Sequence, residues 1–270
     1  MRLLVMEARR ALHRRIVWGL LGLATFLIAL TAVLVFVDSA DLDLVRIRAE
    51  GAHHAAVMAD WWLPGTAEGV LAITAIFLVV GGLIGGATVA GGEWRAGTVG
   101  TVLTWEPRRA RLHAARLGAC AALAWLVAFG LQALFLAALL PAVLAHGSAA
   151  DTDGAWAVAL VAAMARISVL AALAAILGGA LATIGRATAG ALAVGGVWLA
   201  VGESLVRAWR PGFGRFLLTG NAGVLLGWAP LNTEPWTRPP ALALAALFTY
   251  AVAVAAVAGV LFCRRDIGTA

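Results

Sequence analysis

The sequence predicts an all-α integral membrane protein with six transmembrane helices and both termini in the cytoplasm. Three observations carry this. Of the 270 residues, 63% are apolar and 13% charged, with a mean hydropathy of +0.94, whereas a soluble domain carries roughly 25% charge and 45–50% apolar residues. So few polar side chains cannot cover a surface in water, and the solvent must be lipid. Six windows approach the roughly 20 apolar residues needed to cross hydrocarbon. Finally, thirteen Arg fall on the side shared by both termini and six on the other, which makes the terminal side cytoplasmic.

The first element, Met1 to Arg15, places Leu3, Leu4, Met6, Ala11 and Leu12 among Arg2, Arg9, Arg10 and Arg14. It reads either as an amphipathic helix in the membrane interface or as a positive flank that sets orientation. Span one covers 16–37, between Arg14-Arg15 and the acidic trio Asp38, Asp41 and Asp43. Its uncharged run exceeds the roughly 7–15 residues of a signal-peptide core, so it reads as a retained span. Span two covers 70–92 and ends at Glu93; span three covers 117–140 and stops near Pro141. Span four, 160–185, carries Arg166, which leaves Ile167 to Gly185 as its uncharged part. Span five, 187–206, follows a tight turn at Arg186 and holds Glu203 near its far end. Span six, 241–263, closes on Arg264 and Arg265. Trp18, Trp61, Trp62, Trp94, Trp105, Trp156, Trp209, Trp228 and Trp236 fall at or outside span ends, where an amphipathic indole prefers the headgroup level. Gly81, Gly82, Gly85 and Gly86 form two overlapping GxxxG pairs, a pattern that permits close helix approach. No internal repeat or linker divides the chain, which reads as one membrane domain over 1–270.

The same composition excludes several functions. All twenty basic residues are Arg, so the Lys of an ordinary P-loop is missing. A net charge of +6 does not mark a nucleic-acid binder, because the Arg follow the topology instead of forming one face. Cys120 and Cys263 have neither disulfide nor zinc spacing. None of the five His lies deep in a span, which argues against a haem bundle. His53 and His54 with Asp60 read as solvated loop residues in preference to a metal site. The expectation is no catalytic residue, cofactor or metal in this chain.

Two intramembrane charges need an explanation, since each costs roughly 2.5–3.5 kcal/mol at mid-bilayer on insertion scales. Antiparallel spans four and five bring Arg166 and Glu203 to a similar depth. They read as an intramembrane pair or as two side chains reaching separately to the interface. In the loop from Gly92 to Arg116, Trp94, Thr98, Val102 and Trp105 recur at helical spacing as an apolar stripe, and Pro107 ends that helix. Glu93 is expected to cap the loop helix or to pair with an Arg of a partner.

The run Glu93-Trp94-Arg95-Ala96-Gly97-Thr98, followed by Leu103, Pro107, Arg109 and Arg116, resembles the cytoplasmic loop of ABC-2 type permeases. The ending Phe262-Cys263-Arg264-Arg265-Asp266-Ile267 is similar to that family's basic C-terminal cap, and the span order fits along the whole chain. Arg108 departs from the small or apolar residue usual after the Pro. The resemblance implies the membrane subunit of a bacterial exporter in the cytoplasmic membrane. It implies a loop of Glu93, Trp94, Gly97, Thr98, Pro107 and Arg109 coupled to a separate cytosolic ATP-binding cassette ATPase that holds ATP-Mg. It also implies a second permease copy or a sister permease as partner, within membrane lipid. The rival readings are a secondary transporter, a membrane-embedded enzyme and a non-transporting immunity or assembly factor.

The Arg asymmetry has a direct test. In a background without Cys120 and Cys263, single cysteines at Ala49 and Thr233 are expected to react with an impermeant thiol reagent on intact cells, and cysteines at Thr101 and Thr269 to stay unlabelled. Labelling at Thr101 from outside would overturn the orientation.

Overall fold

The computed structural model describes residues 2–43, 50–63, 68–228 and 238–265. Arg46, Arg48, Trp236, Asp266 and Ile267 lie outside the described residues, as do the labelling positions Ala49, Thr233 and Thr269. Among the described residues there is no strand, and six helices are long and apolar enough to cross a membrane. The chain is thus a multi-pass membrane protein. Helix α1 (Arg2–Leu12) is followed by α2 (Arg15–Asp38), α3 (Val70–Arg95), a short α4 (Val99–Trp105), α5 (Arg109–His146) and α6 (Gly154–Gly185). Then come α7 (Thr188–Trp209), α8 (Leu218–Leu226) and α9 (Pro240–Arg264). We call the end where α1 meets the C-terminal end of α9 proximal, and the opposite end distal.

Helix α6 is the axis of the bundle: 56% of its most apolar window is buried, against none of α2. Its closest neighbour is α3. A Cβ on Gly82 or Gly86 of α3 would run into the backbone carbonyls of Ala171 and Ala175, and one on Gly178 of α6 into that of Leu83. Of the two overlapping glycine pairs, only Gly82 and Gly86 make this seam; Gly81 and Gly85 meet nothing within 4 Å. Backbone-to-backbone approach suits a lipid setting, where dispersion and not water exclusion draws helices together. Midway along the bundle, Gln132 of α5 donates to Ser168 Oγ of α6 at 3.1 Å.

Three elements differ from the sequence reading. Helix α5 runs 38 residues straight through Pro141, about 57 Å at 1.5 Å per residue, and so projects beyond a hydrocarbon core of about 30 Å. Proline forfeits only one helical hydrogen bond, and a membrane helix can absorb that loss. The distal Trp61 and Trp62 are buried in the core with Leu139, Leu226 and Leu247, so their rings pack against protein and not against headgroups. Helix α8, in the segment that the sequence reading left between spans five and six, folds back to pack against α9 and α6. Its nine residues are too few to announce a span.

The seam predicts an asymmetric glycine series. Gly86→Ala should lower the thermal midpoint of the detergent-solubilised protein by the equivalent of about 1–3 kcal/mol of overpacking, while Gly85→Ala leaves it unchanged. Equal effects at the two positions would contradict the seam.

Candidate functional site

The proximal face gathers side chains from three helices and the link after α1 around one buried cation. Arg116, on the first third of α5, is 1% exposed. Its Nη2 binds Glu93 Oε2 at the end of α3, and its Nε lies 3.6 Å from Glu7 Oε2 on α1. Glu7 and Glu93 are themselves 3% and 6% exposed. Arg10 Nη1 pairs with Glu7 Oε1 at 3.0 Å, and Arg14 Nη2 with Glu93 Oε1 at 3.5 Å. Arg14 also donates to Thr88 O at 3.2 Å. It reaches there because Gly92 has no side chain: a Cβ on Gly92 would collide with the Arg14 guanidinium. Three guanidiniums thus surround two carboxylates, and the cluster ties α1, α3 and α5 together at one level.

Glu93 is therefore neither the cap of the loop helix nor exposed to a partner, as the sequence reading expected. It belongs to the last turn of α3, and burial forces it to find cations inside the chain. The expected single stripe is also divided. Gly97, at φ +65°, turns the chain between α3 and α4, a conformation that costs glycine little. Trp94 stays with α3, where it meets Phe262 edge-on at 6.1 Å and lies under Arg186 at 5.1 Å. On α4, Val99 and Val102 turn inward onto Leu112 and Phe262. Thr98, Thr101 and Trp105 face outward, Trp105 with 83% of its surface exposed. Glu106 and Arg108 are non-helical on either side of Pro107, so α5 starts afresh at Arg109.

Arg109 also points inward. Its Nη1 donates to the carbonyls of Arg265 at 2.9 Å and of Phe262 and Cys263 at 3.5 Å, which satisfies the open C-terminal end of α9. Arg265 in turn donates to Ile184 O, at 2.6 Å, near the end of α6. A cation at a helix C-terminus meets the negative end of the helix dipole. The loop, α5, α6 and α9 are thereby latched to one another at the proximal face.

At the distal end the proposed pair of Arg166 and Glu203 does not form. Arg166 is exposed, whereas Glu203 is 2% exposed and serves the N-terminus of α8. Its two carboxylate oxygens accept from Leu218 N at 2.8 Å and Thr219 N at 2.9 Å, and from the Thr219 hydroxyl. The free N–H groups and positive dipole end of α8 neutralise Glu203, and Arg166 on α6 stays exposed. Asn221 of α8 is fully buried and accepts from Arg238 Nη1 at 2.7 Å. Nearby, Asp60 accepts from His54 N at 2.9 Å and lies 3.2 Å from His53 Nδ1. His54 Nε2 lies 3.1 Å from Asp38 Oδ2. No group of three His, Cys, Asp or Glu among the described residues is arranged to hold a metal ion.

The sequence reading missed Glu7, Gln132 and the role of Arg116. Glu7 did carry a signal, as the lone acid in a basic helix. No family model and no curated protein matches this chain.

A double-mutant cycle tests the cluster. Arg116→Leu or Glu93→Leu alone strands a buried charge and should cost about 3–5 kcal/mol of stability, read as lost thermal midpoint and lost monodisperse protein. The double variant should lose clearly less than the sum; strict additivity would dissolve the proposed coupling.

Proposed function

We propose that this chain is the membrane-spanning permease subunit of an ABC-2 type exporter. It sits in the bacterial cytoplasmic membrane with its proximal face toward the cytosol, pairs with a second copy or a sister permease, and is driven by a separate ATP-binding cassette ATPase that binds ATP-Mg. The observation that carries the reading is the two-sided character of α4. One face is fastened to α5 and α9 through Val99, Val102, Leu112 and Phe262, and the other presents Thr98, Thr101 and a nearly bare Trp105. A large aromatic left exposed in a loop that also exposes Arg95, Arg108 and Arg111 is the kind of anchor that fills a pocket on a protein partner.

The mechanics follow from the latches. Movement of α4 by a closing ATPase is passed through Leu112 to α5 and through Phe262 to α9. The Glu93–Arg116–Glu7 cluster keeps the feet of α3, α5 and α1 together, so these helices tilt as a unit. The Gly82–Gly86 seam gives α3 a smooth track against α6. Such an input changes the balance between inward-open and outward-open packings only if the ATPase contacts α4 differently in the two states. Work done in the partner accounts for the use of this chain's charges as clasps.

The test co-expresses the wild-type chain with a candidate ATP-binding cassette ATPase from a neighbouring reading frame. Trp105→Ala should leave the permease's own thermal midpoint unchanged and cut recovery of the complex and its ATP turnover by about tenfold or more, as for an interface hot spot. Trp209→Ala, equally bare at the distal end, should do neither. Specific ATP hydrolysis by the isolated chain, or wild-type recovery with Trp105→Ala, would refute the reading.

A further inference from the structure

Between α1 and α4, on the proximal face, lies a cavity of about 360 Å³ lined by Arg10, Arg14, Glu93, Thr98, Thr101 and Val102. Coupling gives it no task. Its size is at the low end of ligand sites, roughly 300–1,000 Å³. Arg10 and Arg14 come from different segments and are not exhausted by the contacts already described. A guanidinium offers five N–H donors; Arg10 gives one nitrogen to Glu7, and Arg14 gives two to Thr88 O and Glu93. The hydroxyls of Thr98 and Thr101 supply two further donors at exposed positions. The one carboxylate in the wall, Glu93, is already neutralised by Arg116 and Arg14. With three guanidiniums to two carboxylates, the cluster keeps an excess positive charge. The complement is an anion with several acceptor oxygens, and forked guanidiniums match phosphate in particular.

The depth of the cavity indicates where such an anion comes from. On α1, Leu4, Val5 and Met6 are exposed, and at the start of α2 so are Ile16 and Trp18. Exposed apolar side chains of this kind suit a hydrocarbon boundary, and Arg9 and Arg15 on the same stretch are exposed cations. An amphipathic helix of this kind lies in the headgroup layer, which sets the cavity at the level of lipid phosphates. We propose that the cavity between α1 and α4 binds a phosphate-bearing anion through Arg10, Arg14, Thr98 and Thr101, supplied by the headgroup of an anionic phospholipid. A phosphate held there bridges α1 to the loop helix. The proposal rests on the six spans and not on the exporter reading, so the two can fail separately.

Native mass spectrometry of the purified full-length chain, titrated with phosphatidylglycerol or phosphatidylcholine, tests it. Phosphatidylglycerol should be retained preferentially. Arg10→Gln combined with Thr101→Val should lower that retention about tenfold, the loss expected for a charge-assisted hydrogen bond. Arg9→Gln, which removes a nearby charge outside the cavity, should retain the lipid like wild type. Thr101→Val alone, at an exposed position, should give a smaller loss in the same direction and guards against a folding defect in the double variant. If the two lipids are retained equally but inorganic phosphate raises the thermal midpoint of wild type and not of Arg10→Gln, the site stands and its phosphate is soluble. Equal lipid retention with no response to phosphate, or wild-type phosphatidylglycerol retention by the double variant, overturns the proposal.

Discussion

Arg116 carries a full charge at a position almost closed to solvent, and much of the proximal architecture answers to it. An isolated ion of this kind would cost several kcal/mol even after relaxation. Glu93 and Glu7 must therefore stay beside it. Holding Glu93 there fixes the rotation of the last turn of α3, and holding Glu7 there docks α1 onto α5. Arg10 and Arg14 then complete the shell. Glu7 and Glu93 are themselves buried, so neither can leave without stranding Arg116.

Along the rest of the bundle the constraint is reversed: almost nothing polar is available, so shape decides. Glycines let α3 and α6 approach until backbone meets backbone, and Gln132 with Ser168 supplies a directional contact in the middle of the α5–α6 interface. At the distal end polar groups return, and Glu203 and Arg238 pin the short α8 by its N-terminus and by Asn221. The molecule thus has an ion-paired proximal base, a dispersion-packed middle and a distal element held by hydrogen bonds.

This distribution bears on function. Under the exporter reading proposed above, a bundle middle with no ion pair among the described residues would tilt without breaking expensive contacts, while the base of interlocked charges would move as one piece. The exposed face of α4 is attached to that base on its inner side. On that proposed reading, an input at α4 would reach the spans through packed side chains and need no long-range field.

How much of this was legible in the sequence follows from which forces are local. Spanning a membrane depends on the summed transfer energy of one contiguous segment, so the six spans and the break at Pro107 could be read directly, while the segment before span one stayed open between an amphipathic helix and a positive flank. The proximal cluster could not. Glu7, Glu93 and Arg116 lie on separate segments, and in helices apolar on every face no amphipathic stripe tells which side turns inward. The same lack hid which glycine pair makes the seam, and it allowed Arg166 and Glu203 to look like partners from depth alone. Rotation and depth of one helix against another were settled only on packing. There, burying a charge or a polar backbone end is tolerable only where its complement already stands, and for Glu203 that complement was the start of α8.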